Sequence, residues 1–453
     1  MDRSATALVL FTRDLRVHDQ PALAAAAGVA NRVVPLFVLD DAILGSRFAA
    51  ANRVAFLVEA LRDLDGSLRR LGAGLLVRRG DVVEETMRVA LEADAATIHV
   101  SEEVSRYGRA RERRLGEACA EAGRELVVAP GVTAVPPGDL APADGDHFRV
   151  FTPHWRRWKE AERRRRLPAP RRLELPEGLE PGGRPRLDDV DVRGASPGLP
   201  RGGENEARRR LAAWSRSGLA RYPERSDDLA ADGTSRLSPY LHFGCLSPLE
   251  VVDRLEGRGG AEPFLRQLCW RDFYHQLLAA NPETPDRDLR PRRDRWRDDP
   301  EALAAWMEGR TGYPLVDAGM RQLADEGWLP NRARLVTASF LVKDLYLDWR
   351  AGAAHFFDLL VDGDLANNVG NWQWVAGVGV DTRPNRVFNP TAQAKRFDPD
   401  GEYVRRWVPE LAELPGPAIH EPWKANGGLA PLDYPEPIVD HAEAVRRFRA
   451  RRA

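Results

Sequence analysis

The chain has 453 residues, of which 43% are hydrophobic and 30% charged, and its formal net charge is −1. This length predicts two or three domains with a large apolar core, and the near-zero net charge argues against generic binding to polyanions. The absence of a long apolar run excludes a membrane-spanning helix. Three widely spaced cysteines and an N-terminus without the layout of a signal peptide predict a cytoplasmic protein without a metal site.

The first third of the chain alternates between short apolar runs and amphipathic segments. Strands are predicted at Ala7–Phe11, Val33–Leu39, Leu75–Arg78, Thr97–Val100 and Glu125–Val128. Between the second and third, Ala50–Leu71 carries its large apolar residues on one face, which predicts a long helix. This alternation favours a doubly wound parallel sheet of the Rossmann type over residues 1–133. A ligand of such a sheet binds beyond the carboxyl ends of its strands.

The remainder of the chain contains no strand patterns. Residues 134–203 are rich in Pro, Gly and Arg, which predicts a long interdomain linker with Phe151–Trp155 docked onto a domain. Helical periodicity then predicts an all-helical domain over residues 204–453. Its helices are predicted at Glu204–Ser215, Pro248–Glu256, Glu262–Ala279, Pro300–Met307, Leu315–Ala324, Arg332–Leu347 and Ala353–Leu360.

Positive charge is concentrated in three clusters. Arg156–Arg166 holds seven basic residues, Arg290–Arg297 five and Arg446–Arg452 five. We interpret the first cluster as a solvated face and the last as a frayed tail.

The stretch Asp362–Trp374 combines two carboxylates, two adjacent amides and two tryptophans within thirteen residues. These groups suit a flat cofactor with polar edges beside a side chain that conducts electrons. A polar loop with two core tryptophans would contain the same residues, because aromatic side chains usually serve packing. The stretch alone leaves both interpretations open.

Further motifs accompany this stretch in a fixed order. They are Asp232–Pro248, Cys269–His275, Thr311–Arg321 and Phe388–Gln393. The whole series resembles the flavin-binding core of the photolyase/cryptochrome family and is most similar to the class I cyclobutane pyrimidine dimer photolyases. The resemblance covers nearly the whole chain and is weakest over residues 134–203. It implies a flavoenzyme that repairs DNA with light: excited, reduced FAD donates an electron to a pyrimidine dimer flipped out of the duplex.

The resemblance assigns the FAD to the helical domain. The residues that it implies for FAD binding are Tyr222, Arg225, Thr234, Ser235, Arg236, Leu237, Ser238, Asn331, Arg334, Asp362, Gly363, Asp364 and Asn368. Thr234, Ser235 and Ser238 bring hydroxyls and main-chain amides to a predicted helix start, which is a favourable place for a diphosphate. An ordinary helix N-cap would use the same residues.

The resemblance also implies contacts to the isoalloxazine ring of the FAD. Arg334 and Asp362 match an ion pair over the ring, and Asp364 matches a residue at its pyrimidine edge. Asn368 matches the residue that faces flavin N5, and it is the Asn of photolyases rather than the Asp or Cys of many cryptochromes. An amide there is expected to favour a stable, fully reduced flavin.

The catalytic residues implied by the resemblance are Trp296, Trp349, Trp372, Asn368 and Gln267. Trp372, Trp349 and Trp296 match a triad that conducts electrons between the flavin and the surface. With twelve tryptophans in the chain, single matches carry little weight, and only the three together are informative.

The resemblance also implies a site for UV-damaged DNA. Its residues are Gln267, Trp270, Arg271, Asn331, Arg332, Leu335, Trp374 and Arg386. Trp270 matches an aromatic ring that stacks on the flipped dimer, a contact worth roughly 1–3 kcal/mol, and Trp374 matches a second wall. The Arg290–Arg297 cluster is expected to flank this face, where contacts to phosphates would make binding salt-dependent.

Three positions depart from the pattern of dimer photolyases. Gln267 replaces the usual Glu, so it can donate a hydrogen bond to a thymine carbonyl but supplies neither a charge nor a transferable proton. Leu335 replaces a Met, which is a mild change, and Pro330 replaces a neighbouring His. Six-four photolyases also carry Gln at position 267, but they need a His pair near Pro330 and Leu335, so that activity is disfavoured.

Two loops bear on a light-harvesting antenna in the first domain. Thr12–Arg16 matches the family's opening loop, and Glu103–Arg109 resembles the Tyr-Gly-Arg loop of deazaflavin-binding members. The Asn-Glu pair of folate-binding members is missing. The expected antenna is 8-hydroxy-5-deazaflavin rather than methenyltetrahydrofolate, and an empty site or ordinary turns remain alternatives.

Two other functions fit parts of the sequence. A cryptochrome-like blue-light receptor on the same fold is favoured by Gln267 and by the near-neutral charge, whereas Asn368 favours repair. A non-catalytic DNA-binding module would bind DNA in a salt-dependent way without a light-dependent product. We predict a monomer that repairs dimers.

Overall fold

The N-terminal third of this computed structural model, which describes residues 6–181, 193–424 and 433–452, is built on one parallel sheet. Its strands are β1 (Thr6–Phe11), β2 (Arg32–Asp40), β3 (Leu76–Gly80), β4 (Ala95–Ser101) and β5 (Glu125–Ala129). The strand order is β3-β2-β1-β4-β5, and Leu8 of β1 pairs with Val34 on one side and Ile98 on the other. The prediction of a doubly wound parallel sheet with these five strands is confirmed.

Both faces of the sheet are covered. Ala7 and Phe11 of β1 belong to one apolar cluster, whereas Leu8 and Leu10 belong to another on the opposite face, as the two-residue period of a strand requires. The covering helices are α1 (Pro21–Val29), α2 (Asp41–Leu44), α3 (Ala51–Arg70), α4 (Val82–Glu92) and α5 (Arg106–Glu121), with a 3-10 turn at Arg47–Ala49. Helix α3 confirms the long helix predicted from its apolar face.

The connection between the domains contains a helix that the sequence pattern did not predict, α6 (Phe151–Glu160). The Phe151 and Trp155 side chains are 5% and 4% exposed, which confirms that this patch is docked. Trp158 Nε1 donates a hydrogen bond to Asp272 Oδ2 (2.9 Å), and this bond ties α6 to the second domain. Residues 182–192 of the predicted linker lie outside the described residues.

The second domain is helical throughout its described residues. Its helices are α7 (Glu204–Ser217), α8 (Tyr222–Arg225), α9 (Ser238–His242), α10 (Pro248–Leu255), α11 (Ala261–Ala280), α12 (Pro300–Met307), α13 (Pro314–Glu326), α14 (Asn331–Ser339), α15 (Trp349–Leu359), α16 (Leu365–Ala376), α17 (Pro390–Phe397), α18 (Glu402–Trp407) and α19 (His441–Arg452). Short 3-10 turns lie at Leu219–Arg221, Pro409–Leu411, Gly416–His420 and Pro422–Lys424. No helix among the described residues is both long and apolar enough to cross a membrane.

Three expectations about this domain were wrong in detail. The helix predicted at Arg332–Leu347 is α14 followed by a π-helical turn at Phe340–Asp344. The helix predicted to begin at Ala353 begins at Trp349, because the Asp348 side chain caps it by accepting from Arg350 N (2.9 Å).

The third wrong expectation concerns the basic cluster Arg446–Arg452, which is not a frayed tail but part of α19. Phe448 is 1% exposed. The Arg452 guanidinium donates Nε to Asp294 Oδ1 (3.0 Å) and Nη2 to Asp294 Oδ2 (2.6 Å). The prediction of a frayed tail was wrong because it was based on charge alone. The apolar face of α19 and this buried ion pair hold the segment against the domain.

Candidate active site

A cavity in the helical domain gathers most of the residues predicted to bind the cofactor. Those that line it are Tyr222, Thr234, Ser235, Arg236, Leu237, Ser238, Asn331, Arg334, Asp362, Asp364 and Asn368. Two predicted residues do not line it. Arg225 is exposed on α8, and Gly363 lies against the Arg53 guanidinium, whose Nη1 is 2.6 Å from where a Cβ would stand.

The Thr234–Ser238 wall of the cavity leads into the helix start predicted there, because α9 begins at Ser238. Arg236 adopts a left-handed backbone with φ of 50°. Its guanidinium bonds to Asp232 (2.8 Å) and Glu326 (3.0 Å) and lies over the Trp328 ring. The buried Thr234 Oγ1 has no hydrogen-bond partner among the described residues, so this wall presents a free polar atom to a ligand.

The opposite wall carries an ion pair. Arg334 Nη2 donates to Asp362 Oδ2 at 2.8 Å, and Arg334 Nε donates to the Leu329 carbonyl oxygen at 2.9 Å. The Asp362 side chain is 3% exposed, yet its Oδ1 has no partner among the described residues. Buried polar atoms are normally hydrogen-bonded, so Thr234 Oγ1 and Asp362 Oδ1 fit a bound group with polar edges, such as FAD.

Asp364 joins this cavity to the first domain. Its Oδ1 caps α16 by accepting from Asn367 N (2.9 Å), and its Oδ2 accepts from Arg13 of the loop after β1. Arg13 also donates to Glu103 Oε2 after β4 (3.1 Å). Burial alone would raise the pKa of Asp364, but the neighbouring His275 and Arg13 hold that pKa well below its usual range. The carboxylate is therefore ionised, and both of its oxygens are engaged within the protein.

The cavity-facing residues of α16 follow the period of a helix. They are Asp364, the N-cap, then Asn367, Asn368, Asn371, Trp372 and Val375. Asn368 Nδ2 donates to the Ala353 carbonyl oxygen (2.9 Å), which fixes the orientation of the amide at the cavity wall. Asn367 and Asn371 were missed as site residues, although each lies three residues after a predicted one, Asp364 and Asn368 respectively. His242 and Trp328 also line the cavity and were missed, although His242 lies within the Asp232–Pro248 motif.

Of the three predicted triad tryptophans, Trp372 and Trp349 belong to one apolar cluster, and Trp296 packs against that cluster. Trp372 lines the cavity and packs so closely on α15 that a Cβ on Gly352 would be 2.2 Å from its Cη2. Trp349 is 1% exposed, and its Nε1 donates to Asp288 Oδ1 (3.0 Å). Trp296 is half-buried at the surface, beside Tyr346. Trp372 therefore lies at the cavity, Trp349 in the core and Trp296 at the surface.

Only part of the predicted DNA site meets at the cavity. Gln267, Arg271, Asn331 and Leu335 line it, and Gln267 and Asn331 are exposed, which places them at its mouth. Arg271 is buried and donates to the Val132 carbonyl oxygen (2.6 Å), so its guanidinium is held inside the protein rather than at a phosphate-binding surface.

The other predicted DNA contacts lie around the mouth or beyond it. Trp270 is half-buried, and Phe151 stacks on one of its faces with ring centroids 3.7 Å apart. Arg332 is paired with Asp227 and lies over the Phe397 ring. Arg386 lies 5.9 Å from the centroid of Trp374. The arginines of the Arg290–Arg297 cluster are exposed around Trp296.

Comparison with known proteins identifies the class. Residues 7–172 match the family model for DNA photolyase, and residues 264–453 match the model for the FAD-binding domain of DNA photolyase. The chain belongs to the DNA photolyase family, and its helical domain is an FAD-binding domain.

Particular relatives are similar over the whole length. The chain is 55% identical to the deoxyribodipyrimidine photo-lyase of Streptomyces griseus over 98% of each chain. It is 36% identical to cryptochrome DASH of Gloeobacter violaceus, over 96% of this chain and 93% of that protein. The structure of a class III photolyase from Agrobacterium tumefaciens superposes with a TM-score of 0.91 at 33% identity, covering 100% of this chain and 98% of that one.

Proposed function

We propose that this protein is a deoxyribodipyrimidine photo-lyase that uses light and FAD to split cyclobutane pyrimidine dimers in DNA. The observation that carries the proposal is the single cavity that gathers the predicted flavin residues around the unpartnered Thr234 Oγ1 and Asp362 Oδ1. Similarity to the Streptomyces griseus photo-lyase over nearly the full length supports the choice of substrate. When bound and reduced, the flavin supplies the electron that opens the dimer.

The chain's own residues bind and orient the partners. The Arg334–Asp362 pair and Asn368, which is fixed by the Ala353 carbonyl oxygen, form the wall for the ring. Gln267 at the mouth donates its amide N–H to a thymine carbonyl, and Leu335 provides an apolar contact. Because Gln267 cannot give up a proton, it orients the dimer by hydrogen bonding alone.

Trp372, Trp349 and Trp296 are proposed to re-reduce the cofactor by conducting electrons inward from the surface. Their packing in or against one apolar cluster and their positions at the cavity, in the core and at the surface support this role. The exposed arginines of Arg290–Arg297, beside Trp296, are proposed to bind DNA phosphates. Each neutralised phosphate is expected to contribute a log–log salt slope of about −0.9.

We also propose that 8-hydroxy-5-deazaflavin binds as an antenna at the carboxyl edge of the sheet. Buried polar atoms of Asp40, Glu102, Tyr107 and Arg111 have no partner among the described residues. Asp40 ends β2, Glu102 follows β4, and the other two lie on α5, so they face the edge where ligands of such sheets bind.

The antenna proposal is tested by expressing the protein in a host that makes the deazaflavin and in one that does not. Recovery of the deazaflavin with the wild type, and its loss from Arg111→Ala with FAD retained, is expected. Recovery of methenyltetrahydrofolate instead, or of no second chromophore from either host, would overturn the assignment.

Repair is tested with FAD-loaded, chemically reduced protein and an oligonucleotide that holds one thymine dimer. Restored thymine is expected under blue light and not in the dark.

A blue-light receptor is the second candidate function, because Gln267 occupies the mouth of the cavity and the chain is similar to a cryptochrome DASH. A dimer that is bound but survives illumination would favour that blue-light receptor.

We also propose that the protein is a monomer and that it is located in the cytoplasm. The three cysteines, Cys119, Cys245 and Cys269, are free and buried, which fits a reducing compartment. The exposed large apolar side chains among the described residues come from separate elements. This distribution fits a monomer, and light scattering on the purified protein tests for one.

A further inference from the structure

The α16–α17 loop, Asp381–Phe388, carries two arginines without an anionic partner. Arg383 and Arg386 are exposed, and neither guanidinium makes an ion pair with another residue of the described ranges. The Arg386 guanidinium lies 5.9 Å from the centroid of Trp374. Trp374 follows three residues after Asn371, which lines the cavity from α16. The loop therefore brings free positive charge next to the helix that forms a wall of the cavity.

A buried lysine holds the main chain of this loop. Lys343 belongs to the π-helical turn Phe340–Asp344 and is only 3% exposed. Its Nζ donates to the carbonyl oxygen of Arg386 and to the carbonyl oxygen of Pro384 (3.4 Å). Because the ammonium is buried, it cannot reach a DNA phosphate itself. It binds instead the backbone of a residue whose side chain is exposed.

The remaining hydrogen bonds of the loop shape it locally. Arg383 N donates to Asp381 Oδ1 (2.8 Å), and Arg386 N donates to the Arg383 carbonyl oxygen (3.0 Å), which closes a turn. Phe388 N donates to Ser339 Oγ (3.3 Å), so the end of the loop is attached to the end of α14. Lys343 ties the turn itself to the domain, because its two acceptors belong to residues of that turn.

The buried ammonium is unfavourable for the fold. Burial, followed by the nearby Arg452, lowers the pKa of Lys343 to about 7, although Asp381 and Asp344 oppose this change. A buried charged group can often be replaced by an apolar one of similar size without loss of stability, and the unbranched Met side chain resembles that of Lys in length. A lysine at this position therefore fits a role in holding the loop better than a role in stabilising the core.

We propose that Lys343 is a positioning residue that holds the α16–α17 loop so that Arg383 and Arg386 bind phosphates of the DNA. The proposal rests on the proposed function, because it requires this face to bind DNA. The two guanidinium groups make the contacts, and Lys343 acts on them through the main chain. When the ammonium is removed, the turn is no longer held, and both contacts weaken together.

The test is the affinity of FAD-loaded protein for a duplex with one thymine dimer, measured in the dark at several salt concentrations. Arg383→Ala and Arg386→Ala are each expected to reduce the magnitude of the log–log salt slope by about 0.9, and Lys343→Met by up to about 1.8. Adding Arg386→Ala to Lys343→Met is expected to leave the slope as in Lys343→Met. The matched control is Lys424→Met, which removes the same charge from an exposed site beside Glu421 and is expected to retain the wild-type slope.

Limited proteolysis reports the loop directly. Trypsin is expected to cleave after Arg386 faster in Lys343→Met than in the wild type, with the other cleavage sites unchanged. Lys343→Gln keeps a hydrogen-bond donor and guards against misfolding of Lys343→Met. Its salt slope is expected to lie between those of the wild type and Lys343→Met.

Three results would overturn the proposal while dimer binding by the wild type upholds the proposed function. They are a wild-type salt slope in a folded Lys343 variant, additive losses from Lys343→Met and Arg386→Ala, and an unchanged rate of cleavage after Arg386. A wild-type protein that does not bind the dimer would overturn both the proposal and the proposed function.

Discussion

Gly352 permits Trp372 to pack against the helix that carries Trp349. A Cβ at position 352 would lie 2.2 Å from Trp372 Cη2 and 2.4 Å from Leu341 Cδ2, whereas ordinary contact begins at 3.4 Å. Gly352→Ala therefore requires the indole to move by roughly 1.2 Å, as expected of overpacking in a dense core. The intrinsic gain of Ala over Gly in a helix is about 1 kcal/mol, and overpacking costs about 1–3 kcal/mol. We expect Gly352→Ala to lower the free energy of unfolding by up to about 2 kcal/mol.

The matched control is Gly66→Ala in α3, where a Cβ meets only the end of the Arg70 side chain at 3.8 Å. That change is expected to stabilise by about 0.5–1 kcal/mol. Chemical denaturation measures both variants, and the rate of FAD photoreduction under blue light with a thiol reports the position of Trp372. Gly352→Ala is expected to photoreduce more slowly than the control. If Gly352→Ala is stabilised as Gly66→Ala is and photoreduces at the wild-type rate, Trp372 does not pack on α15 as described.

Three further changes test other parts of the site. Asp362→Asn leaves Arg334 without its anionic partner and is expected to destabilise the protein by about 1–3 kcal/mol and to lower FAD retention after gel filtration. The control, Asp358→Asn, breaks the exposed pair with Arg47 and is expected to cost at most about 1 kcal/mol. Equal effects of the two changes would contradict the proposed FAD site. Gln267→Glu is expected to raise the yield of light-dependent repair without changing the bound FAD, and an unchanged yield would show that position 267 does not contact the dimer. Burial and the neighbouring Glu112 raise the pKa of Glu102 from 4.5 to about 7. Between these values the folded protein keeps a proton that the unfolded chain releases, so this group makes the free energy of unfolding fall as pH rises. Glu102→Gln is expected to flatten denaturation midpoints over that range, and an unchanged slope would refute the assignment.

Local patterns were sufficient for most of the architecture. The strands of the sheet follow from apolar runs separated by helical periods, and α3 follows from its apolar face. The α16 wall of the cavity follows from polar residues at helical spacing in the sequence. These include Asn371, which the resemblance to the family did not identify.

Contacts between distant segments were not predictable. The π-helical turn at Phe340–Asp344 interrupts a stretch whose periodicity predicted one helix. The stacking of Phe151 on Trp270 joins the linker to α11, and no local signal places these rings together. Arg452 was assigned to a frayed tail because its partner, Asp294, lies 158 residues earlier.

The central claim is that this chain is a catalyst of light-driven dimer repair. The most direct measurement is the number of thymine pairs restored per protein molecule under continuous blue light, with chemically reduced, FAD-loaded protein and excess oligonucleotide containing one thymine dimer. The account predicts many restored pairs per protein, and none in the dark. Restoration of none in the light, by protein that binds the dimer and retains reduced FAD, would contradict it.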